Sequence, residues 1–280
     1  KAIEDDYDEG EVLVPSFTCD SVANAVILAT GKLPLIGDVD FGTWGLAARD
    51  LRAAIAGGHK IRAVILVHTY GVPAVGTGEI RDICTGAGIC LIEDCSEAHG
   101  AWLVDPRSGA GKPVGAYGDV SIYSCRGEKV VSGGQLGVVT TSNQHWARRA
   151  RMYASCGLPS DKVRFWSRVA TLNFQPAHLN AALAVAQLER LPELVEKRRA
   201  IRTRYCGLLA GRPGIEFQAT SGVPAWWLTG FITYPECTAM MPPDLCTAML
   251  DRGVELRPGF YPLHRLPQCR GALHAAVTGL

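Results

Sequence analysis

The first half of the chain alternates short apolar runs with segments whose apolar residues recur at helical spacing. Strands are predicted at 12–16, 33–40, 63–71, 90–100, 119–125 and 136–142, and helices at 21–31, 46–58 and 79–88. Gly31 and the pair Gly57-Gly58 are stop signals for the first two helices. Strand, helix and strand in this rhythm predict an α/β fold with a mostly parallel sheet covered by helices.

The second half begins with a long helical region at 176–211, which Pro192 is expected to divide into two helices. Four apolar residues share one side of it: Leu179, Leu183, Ala186 and Leu191. Gly211 and Pro213 then mark a boundary. We therefore predict a large α/β domain at 1–211 and a small α+β domain at 212–280, the latter expected to be truncated.

Composition narrows the class of protein. Of the 280 residues, 48% are hydrophobic and 20% charged, and the formal net charge is +1. These values are typical of a globular protein and favour neither nucleic acid nor a membrane as a partner. No signal peptide is recognised at the acidic N-terminus. The ten cysteines include no C-x-x-C pair, which predicts free thiols in a reducing, cytoplasmic compartment and no metal site.

Polar side chains follow three neighbouring apolar runs, at the point where each predicted strand ends. His68 follows VILV, Asp94 follows CLIE, and Ser124 follows VSIY, with Lys129 five residues further along in a glycine-rich bend. Ligands of open parallel sheets bind outside the carboxyl ends of the strands. We therefore expect an acid, a hydroxyl and an amine to lie at one edge of the sheet.

Pyridoxal phosphate chemistry needs these three group types. A lysine amine binds the cofactor and moves a proton, a carboxylate faces the pyridine nitrogen, and a hydroxyl with backbone N–H groups holds the phosphate. Asp94, Ser124 and Lys129 could take these roles, and Gly133, Gly134 and Gly137 would let the backbone bend close to a ligand. The ordinary alternatives remain open at this point: a solvated surface lysine, a helix-capping aspartate and a turn serine.

Other ligand-binding motifs are poorly supported. GAGKPVG at 109–115 lacks the Ser or Thr that follows the lysine of a phosphate-binding loop. No G-x-G-x-x-G follows the first strand, and neither H-E-x-x-H nor G-x-S-x-G occurs.

Six blocks in order carry a more specific signal: PSFTCDSVANAV, VHTYGVPA, IEDCSEAHGA, GDVSIYSCRGEKVVSGGQLGVV, LNFQPAHLNAALAVAQLERL and GVELRPGFYPLH. Together they resemble the DegT/DnrJ/EryC1/StrS sugar aminotransferases, and among these the perosamine-synthase-like members. The resemblance implies an aspartate-aminotransferase-like fold of type I, with a seven-stranded-type sheet and pyridoxal phosphate as cofactor. It also implies transfer of an amino group from glutamate to a nucleotide-linked 4-keto-6-deoxy sugar in amino-sugar biosynthesis.

The resemblance assigns roles to individual residues. Lys129 matches the Schiff-base lysine, Ser124 a phosphate contact, Asp94 the partner of the pyridine nitrogen, and Glu97 a residue near the ring hydroxyl. Asn173 matches an asparagine that reaches the phosphate from the neighbouring subunit, which implies a homodimer with shared active sites. Tyr261 and His264 match a segment that lines the sugar site.

Three departures from the family pattern keep an alternative open. Cys19 replaces an aromatic residue that stacks on the cofactor ring, and Gln175 replaces an arginine. The glycine-threonine phosphate loop would precede the first residue, so the N-terminal part is expected to be incomplete. The alternative is a catalytically impaired or non-catalytic relative that binds a nucleotide sugar or a partner. A dehydratase relative is disfavoured, because such members replace the lysine with histidine and this chain keeps Lys129.

Overall fold

The computed structural model describes residues 10–104, 109–158 and 166–275, so that the outermost residues of both predicted domains lie outside it. The strands are β1 Glu11–Pro15, β2 Leu35–Gly37, β3 Ile61–Val67, β4 Cys90–Asp94, β5 Trp102–Val104, β6 Gly111–Pro113, β7 Val120–Ser124, β8 Gly137–Thr140, β9 Ile215–Phe217 and β10 Phe231–Thr233. The α-helices are α1 Asp20–Thr30, α2 Ala48–Ala56, α3 Thr77–Ala87, α4 Gln144–Ala154, α5 His178–Glu189, α6 Leu191–Leu209, α7 Pro235–Thr238 and α8 Pro242–Leu250.

The central sheet has the strand order β2-β1-β3-β4-β7-β8. Every neighbouring pair is parallel except β7 and β8, so the predicted mostly parallel sheet is confirmed. Within the described ranges the sheet has six strands, not seven. The outer edge of β2 is instead covered by a short extended segment, since Ile36 exchanges backbone hydrogen bonds with Leu273 and Ala275.

Alternation along β1 explains why helices cover both faces of the sheet. Leu13 joins a buried cluster with residues of α2 and α3, whereas the next residue, Val14, joins a different cluster with Val22 and Val26 of α1. Successive side chains of a strand point to opposite faces. Helix α1 therefore covers one face of the sheet, and helices α2 and α3 cover the other. The apolar side of each helix faces the sheet, in agreement with the sequence prediction.

The second half contains both predicted and unpredicted elements. Pro192 does separate α5 from α6, and it occupies the first turn of α6, where a missing N–H costs no hydrogen bond. Two short antiparallel pairs, β5–β6 and β9–β10, lie outside the main sheet. Leu263 and Cys269, beyond the predicted boundary at 211, pack in the cluster of Val14. The division into two domains stays a prediction. None of the described helices combines the length and apolarity needed to cross a membrane.

Candidate active site

The carboxyl ends of three adjacent parallel strands define one edge of the sheet. In the ladder, Asp94 of β4 lies beside Val67 of β3 and Ile122 of β7. His68 and Ser124 therefore emerge beside Asp94 at the same edge. This places the polar residues that follow the strands together, as the sequence predicts.

Lys129 lies in the loop between β7 and β8, and it is not a solvated surface lysine. Its side chain is only 11% exposed, and its Nζ lies 3.3 Å from Oε1 of Glu97. The same Nζ lies 3.5 Å from the ring centroid of Trp227, within the range of a cation–π contact. The indole N–H of Trp227 donates to the Glu128 carbonyl at 2.7 Å, which ties the loop to the ring. The amine is therefore held between a carboxylate and an aromatic face.

Glu97 is buried and can exchange a proton near neutral pH. Its Oε2 accepts a 2.7 Å hydrogen bond from the backbone N–H of Tyr70. Burial raises the pKa of Glu97 to about 7, because Lys129 and the Tyr70 N–H oppose this effect only in part and Asp94 adds to it. Such a perturbed carboxyl group in contact with an amine is a candidate for acid–base chemistry.

Asp94 and Ser124 complete the polar set at this edge. Asp94 is buried, and its Oδ1 accepts a hydrogen bond from the Ser96 N–H at 2.9 Å, which fixes the carboxylate at the strand end. Ser124 ends β7, and among the described residues its Oγ accepts only a long 3.4 Å contact from the Arg126 N–H. Its hydroxyl is accordingly free to turn toward a ligand.

A second buried carboxylate at this edge belongs to a structural network. Both oxygens of Glu93 accept backbone N–H groups, from Gly115 at 2.9 Å, Tyr117 at 2.7 Å and Gly118, and Oε1 also lies 3.1 Å from Nε2 of His68. Burial raises the pKa of Glu93, but the hydrogen bond from His68 and those from the backbone N–H groups outweigh burial and lower it.

The same network brings three possible metal ligands together, since donor atoms of His68, Glu93 and Cys95 lie within 4.8 Å of one another. Nδ1 of His68 already accepts the Ala74 N–H at 3.0 Å, so Nε2 carries the hydrogen that faces Glu93. With both ring nitrogens and both carboxylate oxygens in use, the cluster acts as a hydrogen-bonded support.

An aromatic cluster beside the lysine was missed by the sequence analysis. It consists of five rings in contact, with centroids 5.1 to 6.1 Å apart: Phe17, Trp44, Tyr70, Trp227 and Phe260. Trp44 and Tyr70 have positive φ angles of 62° and 55°, which are strained for bulky residues. The available signal was an aromatic residue before glycine after a strand, as in GTWG and HTYG.

Gly71 explains how distant segments meet at this cluster. A Cβ at this position would lie 2.7 Å from the Trp227 N, 2.8 Å from the Trp226 N and 2.9 Å from the Glu97 O. Only glycine allows the turn after β3 to approach these two segments so closely. Gly133 of the Lys129 loop allows a similar approach, since a Cβ at this position would lie 3.0 Å from the Asn180 carbonyl of α5.

The remaining predicted site residues are not brought to Lys129 by the described contacts of this single chain. Asn173 is exposed, and its Oδ1 accepts the Gln175 N–H at 3.1 Å. Tyr261 is 64% exposed, and the exposed His264 packs its ring near His274, with centroids 5.3 Å apart. In the FYPLH segment it is Phe260 that contacts the aromatic cluster, with its centroid 5.1 Å from that of Tyr70.

The two substituted positions, Cys19 and Gln175, lie in different surroundings. Cys19 is half-buried just before α1, where its Sγ accepts a hydrogen bond from the Ser21 hydroxyl at 3.1 Å. Burial raises the pKa of the Tyr70 phenol, and Glu97 and Cys19 add to the rise. Gln175, by contrast, is on an exposed segment.

These residues fit a pyridoxal phosphate site. In the described part of the chain, two buried polar atoms near the strand ends lack a hydrogen-bond partner: Oγ1 of Thr18 and Nδ1 of His99. Burial first, and then the charge of Lys129, lowers the pKa of His99 to about 4, so its ring is neutral. Unpartnered buried polar atoms are rare in proteins, and a bound ligand would supply the missing partners. Asp94, Glu97, Ser124 and Lys129 would hold the cofactor there.

Comparison with known proteins gives a family match and close relatives. The family model described as the DegT/DnrJ/EryC1/StrS aminotransferase family matches residues 3–278. A GDP-perosamine synthase of Vibrio cholerae is 33% identical over 258 residues, which are 92% of this chain and 67% of that protein.

Solved structures share the fold. The aminotransferase TlmJ from Streptoalloteichus hindustanus is 27% identical with a TM-score of 0.80, and the match covers 94% of this chain and 69% of that one. An E. coli GDP-4-keto-6-deoxy-D-mannose-3-dehydratase with bound hydrated PLP is 18% identical with a TM-score of 0.81, and covers 97% and 72%. These likenesses confirm the predicted fold class.

Proposed function

Because the chain belongs to the DegT/DnrJ/EryC1/StrS aminotransferase family, we propose that it transfers an amino group from glutamate to a nucleotide-linked 4-keto-6-deoxy sugar. The family, the enzyme class and the pyridoxal phosphate cofactor agree with the resemblance found in the sequence. The donor, the sugar and the residue roles are the parts that need an experiment.

The observation that carries the proposal is the contact between Lys129 and Glu97. A buried amine 3.3 Å from a buried carboxyl group lies at the carboxyl edge of a parallel sheet, with Asp94 close enough to raise the pKa of that carboxyl. Ligands bind at this edge in open α/β sheets. When bound, the cofactor supplies an electron sink for the bonds of the amino-acid carbon.

The side chains supply the binding and the proton transfers. Lys129 would hold the cofactor covalently, and its Nζ would move a proton once it is released. Glu97 can take a proton from Nζ or return it, because the two are in direct contact and the pKa of Glu97 is about 7. Asp94 would hold the pyridine N–H with its fixed carboxylate, and the Ser124 hydroxyl would donate to the phosphate.

We assign the nucleotide sugar from the similar protein of Vibrio cholerae. The Vibrio cholerae protein is named for GDP-perosamine, and the identity of 33% extends over most of this chain. Tyr261 directly follows Phe260 of the aromatic cluster, and His264 lies three residues further along; both offer exposed polar groups. We assign them to the sugar, at the open side of the site.

An exposed apolar face supports a homodimer in which Asn173 serves the partner's site. Asn173 lies between Leu172 and Phe174, which are 69% and 65% exposed, and Leu179 is 80% exposed. Phe174 also lines a groove of about 280 Å³ with six other residues: Ala25, Leu28, Ala29, Ala150, Tyr153 and Thr171. Contiguous exposed apolar surface is typical of interfaces. The apolar side predicted for α5 would then face a second copy.

The cysteines support a reducing, cytoplasmic location. All ten are free thiols, and four of them are fully buried: Cys84, Cys95, Cys125 and Cys269. Buried thiols of this kind serve as small apolar residues.

The test is covalent trapping. The protein is incubated with pyridoxal phosphate, reduced with borohydride and digested, and the Lys129 peptide is analysed by mass spectrometry. We expect the cofactor mass on Lys129 and a visible absorbance band. Lys129→Ala should lose both, whereas the exposed-lysine control Lys112→Ala should keep them.

A second assay supplies glutamate and a GDP-linked 4-keto-6-deoxyhexose, and we expect an amino sugar and 2-oxoglutarate. Unmodified Lys129 would contradict the cofactor assignment, and no amino sugar would contradict the substrate.

A non-catalytic relative is the second candidate. The observation that favours it is the Nζ of Lys129, which is already held by Glu97 and the Trp227 ring. In that case the protein binds the sugar nucleotide in calorimetry, and borohydride leaves Lys129 unmodified.

A further inference from the structure

The side chain of Gln218 hydrogen-bonds the two turns that contain the strained aromatic residues Trp44 and Tyr70. It is 2% exposed, and its Nε2 donates to the Thr43 carbonyl at 2.8 Å and the Thr69 carbonyl at 3.0 Å. Both partners are acceptors, so only the amide nitrogen can face them, and the orientation of the amide is unambiguous. These carbonyls immediately precede Trp44 and Tyr70, whose φ angles are positive.

One peptide group links Gln218 to Glu97. The Thr69 carbonyl and the Tyr70 N–H belong to the same planar unit, so they point in opposite directions. The carbonyl accepts from Gln218 at 3.0 Å, and the N–H donates to Glu97 at 2.7 Å. Rotation of this peptide would relieve the left-handed strain of Tyr70, but it would carry the N–H away from Glu97.

Helix α6 fixes the segment from which Gln218 projects. Three of its arginines donate to backbone carbonyls of that segment: Arg202 to Gln218 at 2.9 Å, Arg199 to Pro224 at 3.0 Å and Arg198 to Trp227 at 2.5 Å. The Arg202 guanidinium also lies between the rings of Phe217 and Trp226, 4.3 and 4.4 Å from their centroids. Helix α6 thus holds in place the backbone from which the Gln218 side chain projects.

We propose that Gln218 is a positioning residue of the active site, which holds the Thr69–Tyr70 peptide group in the orientation that hydrogen-bonds Glu97. The importance of Glu97 rests on the proposed function, but the effect of Gln218 on Glu97 does not. Among the described residues, three other titratable groups act electrostatically on Glu97: Lys129 from the β7–β8 loop, Asp94 from the end of β4, and the Tyr70 phenol from the turn after β3. Loss of the Tyr70 N–H bond removes one of the two stabilisers of the carboxylate.

The experiment titrates Glu97 directly in protein without cofactor or substrate. Glutamate is labelled with ¹³C at the side-chain carboxyl, Glu97 is assigned with Glu97→Gln, and spectra are recorded from about pH 5 to about pH 9. We expect a midpoint of about 7 in the unsubstituted protein. Gln218→Met keeps the side-chain volume and removes both donors, so the midpoint should rise by about one pH unit. Gln144→Met, at an exposed position of α4, should leave it unchanged.

A folded Gln218→Met protein whose Glu97 midpoint coincides with that of the control would overturn the proposal. If this variant does not fold, the unsubstituted protein still decides. The ¹⁵N signal of the Gln218 side-chain amide should shift with the Glu97 titration, and a signal that stays constant through that midpoint contradicts the link.

An activity readout separates this inference from the proposed function. The low-pH limb of amino-sugar formation should move with the Glu97 midpoint in Gln218→Met, and this difference should vanish in the Glu97→Gln background. A shifted midpoint in a protein that traps no cofactor would leave the Gln218 inference intact and reject the proposed function alone.

Discussion

Two buried carboxylates lie at the same edge of the sheet, and the protein treats them in opposite ways. Glu93 accepts three backbone N–H groups and the hydrogen of His68, and its pKa is lowered although it is fully buried. Glu97 has one backbone N–H and Lys129, and burial raises its pKa to about 7. The number of donors, more than burial, separates a carboxylate that supports the fold from one that can react.

The largest expected effect comes from disrupting the hydrogen-bond network around Glu93. Glu93→Gln replaces an acceptor-only group with an amide whose NH₂ must face backbone N–H groups. We expect a loss of about 3 to 5 kcal/mol in the free energy of unfolding. Urea unfolding followed by circular dichroism measures it. Glu79→Gln, a half-exposed carboxylate paired with Arg52 on the surface, is the control and should change stability by less than about 1 kcal/mol.

The contributions of Glu93 and Glu97 to stability should change in opposite directions with pH. Glu97 has a higher pKa in the folded state than in the unfolded chain, so folding takes up a proton between about pH 4.5 and about pH 7. Its contribution to stability is therefore complete below pH 4.5 and lost as pH rises to 7. Glu93 has a lowered pKa, so its contribution is present above its unfolded pKa and lost on acidification.

Glu97→Gln tests that sign, since glutamine resembles the protonated acid. We expect the variant to match the unsubstituted protein near pH 5, and to gain stability relative to it near pH 8, by on the order of 3 kcal/mol. Urea unfolding at the two pH values gives the comparison. Equal differences at both pH values would mean that Glu97 does not titrate in this range.

The smallest expected effect concerns the contacts that hold Lys129 beside Glu97. Trp227→Phe keeps an aromatic face over Lys129 and removes the N–H that donates to the Glu128 carbonyl. Losing one such bond costs about 1 kcal/mol, so we expect about a fivefold fall in amino-sugar formation with unchanged folding. Trp146→Phe, on α4, serves as the matched control. Full activity in Trp227→Phe would show that the ring face alone positions the amine.

The predictable part of the molecule is the part encoded locally. The strand ends of β3, β4 and β7 were readable because each apolar run stops at a polar residue, and parallel pairing then places Asp94 and Ser124 together. Helix ends followed from glycine, as at Gly31, whose φ is 68°. These signals need only a few consecutive residues, and the six-stranded sheet follows from them.

The parts that were missed depend on contacts between distant segments. Trp227 is about a hundred positions from Lys129, and no periodicity links the two. The β5–β6 pair has three residues in each strand, too short for an alternation to be recognised. The antiparallel direction of β8 is set by the Lys129 loop turning back on itself, as the bond from the Gly133 N–H to the Cys125 carbonyl shows. The roles of Asn173, Tyr261 and His264 stay predictions.

The close approach at Gly71 has a consequence for synthesis. Three backbone segments converge there, and the last of them, at Trp226–Trp227, is made well over a hundred residues after the first. A nascent chain that has completed its parallel strands still leaves the reactive amine without its aromatic cover. Because long-range contacts of this kind form late, we expect the pocket to mature only after the ribosome has released the segment beyond α6.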